Sequence, residues 1–67
     1  MKYEDFLKKV SEMEKGKKES FFISKTSLGG RDASIISSDI AKKCKYPVSI
    51  SIHDLADGNV GVLVEIL

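Results

Sequence analysis

One cysteine, one proline, one histidine, one arginine and no tryptophan stand among 67 residues, and each shortage closes off a class of protein. A single thiol, Cys44, cannot form a disulfide within the chain, which excludes the disulfide scaffolds of many small secreted domains. Cys44 and His53 are the only soft ligands, short of the roughly four that a structural zinc site takes. Neither a metal nor a cofactor is expected. No apolar run approaches the roughly 20 residues of a membrane span. The opening stretch Met1–Lys9 mixes both charge signs without an apolar centre, unlike a signal peptide. These features lead us to expect a cytoplasmic protein with no membrane partner.

Arginine is scarce in a telling way. Ten of the eleven basic residues are lysine and only Arg31 is arginine. Lysine is a strongly hydrated point charge, whereas arginine offers the planar fork that grips phosphates and base edges. The ratio argues against a dedicated nucleic-acid reader. Net charge is +1 but uneven: residues 1–31 hold eight basic against five acidic residues, and residues 32–67 hold three against five.

What is present suffices for one small domain, residues 1–67. A chain this short buries only about 60% of the surface exposed when unfolded, and small domains often gain stability by association. Self-association is therefore expected.

Tyr3, Phe6, Leu7, Val10 and Met13 recur at three- and four-residue spacing, which predicts an amphipathic helix over 3–15. Glu4 and Asp5 suit its first turn, Lys15 its last, and Gly16 its left-handed C-cap. Ser20 to Thr26, with Phe21, Phe22 and Ile23, reads as a strand. Residues 33–46 admit two readings. Ala33, Ile36, Ile40, Ala41 and Cys44 trace one helical face, which Asp32 could cap. Ile35-Ile36-Ser37-Ser38 nevertheless makes a poor helix interior, so a hairpin over 33–37 with a helix from 38 competes. The single longer helix is preferred.

The final third alternates. Val48, Ile50 and Ile52 interleave with Ser49, Ser51 and His53, and Val60, Val62, Val64 and Ile66 interleave with Gly61, Leu63, Glu65 and Leu67. Opposed residues of an antiparallel pair share a face, so pairing Ile52 with Val62, Ile50 with Val64 and Val48 with Ile66 keeps the apolar side chains together. That register requires a loop around Leu55 to Asn59 rather than a two-residue turn. The expected fold is a two-layer α+β domain in the order α-β-α-β-β, with an antiparallel sheet whose C-terminal hairpin packs on two helices.

No spacing unites a nucleophile with a base or a pair of carboxylates, and an enzyme is not expected. Three weaker features remain. Gly29, Gly30 and Arg31, between a strand and a helix start, form a candidate anion loop, although the Gly-Lys-Ser/Thr ending of a phosphate loop is missing. Lys42, Lys43 and Lys45 at one helix end, with Lys15, Lys17 and Lys18 at the other, are candidate nucleic-acid contacts; helix dipoles attract lysines to the same places. Ser38 to Cys44 resembles the first helix of a helix-turn-helix, but Lys45 replaces the turn glycine and the segment after Pro47 alternates as a strand. Leu63 and Leu67 lie on the polar side of the alternation and are candidate self-association residues. The last strand could also pair edge to edge. The function expected is a non-catalytic interaction or regulatory module that binds its own copy or another protein. Nucleic-acid binding through the lysines is the alternative.

Overall fold

A computed structural model describes all residues from Met1 to Leu67. The chain runs α1 (Tyr3–Ser11), β1 (Lys18–Ser24), α2 (Lys25–Leu28), α3 (Ala33–Lys43), β2 (Val48–Asp54) and β3 (Asn59–Ile66). It is an α+β domain with one three-stranded antiparallel sheet in the order β1-β3-β2. The last strand is thus the central one, hydrogen-bonded on both sides. This overturns edge-to-edge pairing through Val60–Leu67: β3 has no free edge to offer.

The hairpin register is the one that the apolar alternation demands. Val48 opposes Ile66, Ile50 opposes Val64 and Ile52 opposes Val62. Its loop closes with the Leu55 N–H donating to the Asn59 carbonyl at 2.9 Å. Val60, Val62, Val64 and Ile66 are buried on the helix side, together with Phe21 and Ile23 of β1. The partners on β2, namely Val48, Ile50 and Ile52, are only half-buried.

α1 presents Tyr3, Phe6 and Val10 to this layer, and α3 presents Ile36 and Ile40. Phe6 meets the edge of Phe21 at 5.2 Å between ring centroids, the favoured arrangement of two aromatic quadrupoles. Residues 33–37 are helical. The Asp32 carboxylate accepts from the Ile35 N–H at 2.9 Å and satisfies an otherwise orphaned donor. That cap and the burial of Ile36 outweigh the poor intrinsic propensity of Ile35-Ile36-Ser37-Ser38.

Three boundaries differ from expectation. α1 ends at Ser11, not near residue 15; there the Ser11 hydroxyl donates to the Lys8 carbonyl at 2.6 Å, which also accepts from the Glu12 N–H at 3.2 Å. Gly16 does adopt a left-handed φ of 84°, but it turns the chain into β1 rather than capping α1, and its N–H donates to the Ile66 carbonyl. β1 begins earlier, at Lys18, opposite Glu65. It stops at Ser24, whose hydroxyl accepts from the Ser27 N–H at 3.1 Å and starts the unforeseen helix α2. Leu28 is the buried anchor of α2.

Candidate functional site

Both long helices lie on one side of the sheet, which leaves the opposite side open. The open face carries Lys18, Ser20 and Phe22 from β1, Gly61, Leu63 and Glu65 from β3, and Ser49, Ser51 and His53 from β2. Phe22 is 60% exposed. It stands across from Gly61, and the missing side chain there lets the Phe22 ring and Leu55 approach the same spot from two sides. Leu63, between Ser20 and Ser51, is half-buried, and Leu67 at the sheet's end is 55% exposed. Phe22, Leu55 and Leu63 therefore form an apolar centre on a face whose other side chains are serines, His53 and one opposed Lys18–Glu65 pair.

The two helices run in the same sense, both opposite to β1 and β2. Their C-terminal ends consequently meet at one end of the domain. Lys15 and Lys45 line a common cleft with Cys44 and Tyr46, and the Lys15 ammonium lies 5.8 Å from the Tyr46 ring centroid. Lys8 and Lys43 line the adjoining groove between the helices. Two parallel helices also bring their negative dipole ends together, and the last-turn lysines Lys8, Lys9, Lys42 and Lys43 offset that field by about 0.3–1 kcal/mol each. Lys15 and Lys17, expected at the end of α1, lie beyond it, and Lys18 belongs to β1.

Gly29 and Gly30 take left-handed φ values of 58° and 81°, the first as the C-cap of α2. Arg31 turns back into the fold. Its Nη1 donates to the Leu28 carbonyl at 2.9 Å, and its Cζ lies 4.1 Å from the Tyr3 ring centroid. At the neighbouring helix N-terminus the Asp32 carboxylate occupies one donor, the Ile35 N–H. Structural contacts therefore account for Arg31 and for that donor of α3. Beside the loop is a groove of about 480 Å³ with an apolar floor of Leu28, Ile36, Ile52 and Val60 and with Arg31 and Asp54 at its rim.

One polar cluster escaped the sequence reading. The Tyr3 hydroxyl donates to Asp39 Oδ2 at 2.6 Å, while Arg31 covers the ring. The contact pins the start of α1 to the middle of α3. Its partners are 36 residues apart, so no local spacing could reveal it. Burial raises the Tyr3 pKa, and the Asp39 hydrogen bond and charge raise it further, against a smaller lowering by Arg31. A phenol whose folded pKa exceeds its unfolded value of about 10 supports folding fully below that pH. The support is lost as pH rises through the folded value. Tyr3→Phe is expected to lower stability by about 0.5–1.5 kcal/mol at neutral pH. The gap between wild type and variant should narrow above pH 10. Urea midpoints measured from neutral to alkaline pH check this, and a gap constant with pH would remove the ionisation link.

His53 is exposed on the open face next to the turn. Cys44 is half-buried, and burial pushes its thiol pKa up, which suppresses the reactive thiolate. No group of three or more His, Cys, Asp or Glu side chains is arranged to hold a metal ion, and no helix is long and apolar enough to cross a membrane. No protein-family model, curated protein or solved structure matches the chain.

Proposed function

We propose that this domain is a non-catalytic, cytoplasmic interaction module that self-associates and acts as an accessory or regulatory protein. The observation that carries this reading is the apolar centre of the open sheet face, Phe22 with Leu55 and Leu63, and Leu67 beyond it. Fully burying one leucine is worth about 1.5–3 kcal/mol, and a two-fold contact counts every such residue twice. The charges on that face are one lysine opposed to one glutamate, so a second copy meets no net repulsion. A lone thiol with no disulfide partner suits a reducing compartment. Sedimentation equilibrium at tens of micromolar should find species larger than the monomer, and Leu63→Lys should shift them toward monomer. A folded wild type that stays monomeric there would sink the reading.

The convergence of Lys15 with Lys45, and of Lys8 with Lys43, favours a second reading as a nucleic-acid-binding accessory through Lys42, Lys43 and Lys45. Helix dipoles already explain Lys8, Lys42 and Lys43 at that end, so we rank it lower. The two readings part in the same sample titrated with duplex DNA at physiological salt. We expect no measurable binding. Micromolar, salt-sensitive binding lost on changing the three lysines to glutamine would reverse the ranking.

A further inference from the structure

We infer that two copies of this chain join along β2, antiparallel and strand to strand, to make one six-stranded sheet. The inference rests on the self-association proposed above but uses a different surface, the backbone rim of the sheet rather than its open face.

The hydrogen-bond ladder identifies which rim groups are free. The Leu67 N–H donates to the Pro47 carbonyl at 2.9 Å, and the Leu55 N–H donates to the Asn59 carbonyl at 2.9 Å. These bonds fix the phase of the β2–β3 ladder, in which hydrogen-bonded and non-hydrogen-bonded pairs alternate. Ser49, Ser51 and His53 therefore spend their backbone groups on β3. Val48, Ile50, Ile52 and Asp54 turn theirs outward, a template for another strand.

Natural sheets guard such rims with lysine, proline, bulges or a covering element. The outer rim of β1 has Lys18 and Glu19 at its start and passes directly into α2 at its end. β2 carries such devices only at its ends, Pro47 just before it and the charge of Asp54 at its last position. Between Pro47 and the turn it has no lysine and no proline, and its register with β3 is unbroken over seven residues.

Three features make a second copy the fitting occupant. Antiparallel pairing centred on Ser51 engages all seven residues and sets Ile50 of each copy opposite Ile52 of the other, both with outward backbone groups. The same register joins the half-buried rows of Val48, Ile50 and Ile52 into one apolar strip on the helix side. The ends of β2 are also oppositely charged, with Lys42, Lys43 and Lys45 before it and Asp54 and Asp57 after it. Antiparallel pairing brings the basic end of one copy beside the acidic end of the other, twice. Arg31, which lines the same groove as Asp54, is held by Tyr3 and Leu28 and leaves that complement in place.

The decisive measurement is amide hydrogen exchange in the wild-type chain, followed residue by residue by NMR as concentration rises. The Ile50 and Ile52 amides should slow by about tenfold or more as the dimer forms, while Ser20 and Phe22 on the other rim should exchange as fast as before. Exchange at Ile50 and Ile52 that is independent of concentration would overturn the inference. A synthetic chain carrying N-methyl-Ile50 removes one outward donor from each copy and no bond of the internal ladder. Its dimerisation should weaken by about tenfold or more, with unchanged circular dichroism. Association abolished by Leu63→Lys but untouched by N-methyl-Ile50 would leave the open-face reading standing and this one fallen. Association lost with N-methyl-Ile50 and retained by Leu63→Lys would do the reverse, and a wild type monomeric at every concentration would remove both.

Discussion

Phe6→Ala is expected to remove about 3–5 kcal/mol of folding stability. Phe6 has no exposed surface and sits between Tyr3, at 5.8 Å between ring centroids, and Phe21. It is the side chain through which α1 grips the sheet. An edge-to-face contact adds about 0.5–1.5 kcal/mol beyond the area buried, and alanine would leave a cavity that two neighbouring rings cannot close without leaving their own contacts. At roughly 0.05–0.15 kcal/mol per residue, a domain of 67 residues has about 3–10 kcal/mol to lose, so this one change removes about a third of it or more. The urea midpoint of Phe6→Ala should fall far below that of wild type. Phe22→Ala, compared at concentrations where the chain is monomeric, is the matched control, since the same ring one residue along is exposed there. Urea unfolding followed by circular dichroism compares the two, and a Phe6→Ala midpoint equal to that of wild type would refute the assigned core.

Ile40→Ala should cost about 2–5 kcal/mol, and Ile35→Ala on the same helix should stay within about 0.5 kcal/mol. Ile40 is fully buried whereas Ile35 is 45% exposed, so the pair tests the rotational phase of α3. The comparison also decides residues 33–37. In a hairpin over those positions Ile35 would not share a helix with Ile40, and its burial would follow strand alternation instead. Equal losses at the two sites would argue for that alternative. Both variants remove the same atoms, so the difference between them reports environment alone.

Legibility followed the range of the interactions involved. The β2–β3 register could be read because Val48, Ile50 and Ile52 and the valines of β3 alternate strictly, and one wrong step would have turned every side chain over. The Asp32 cap was readable because its partner is three residues away. The strand order was not. Nothing within Val60–Ile66 states that β1 will occupy its other side, and only the tertiary arrangement sends the last strand to the centre. α2 was missed for a different reason: four residues are too few for a periodic signal, and the β-branched Thr26 reads as a continuation of the strand residues Phe21, Phe22 and Ile23. Of the candidate self-association residues, Leu63 lies on the open face and Leu67 is exposed at its end, as the alternation implied; Phe22 joins them only because β1 pairs with β3. Arg31 shows the limit of such reading. Glycines beside an arginine suggest an anion loop, yet Tyr3 lies 28 positions earlier and engages the guanidinium.

The central place of β3 bears on how the chain acquires its structure during synthesis. β1 and β2 never touch each other in the ladder, so neither has a hydrogen-bonding neighbour in the nascent polypeptide until residues 59–66 have left the ribosome. Through all the earlier steps α1 can coil, but Phe21, Ile23, Ile50 and Ile52 have no completed layer to close upon. Translation proceeds at about 5–20 residues per second, so the wait is short. Once β3 emerges, its pairing with β2 closes a short loop, whereas its pairing with β1 spans most of the chain, and the longer closure costs more entropy. The central place of β3 also makes quality control simple for the cell: a message cut short before the last strand yields a chain with two unmatched strands and exposed apolar rows, a ready target for proteases.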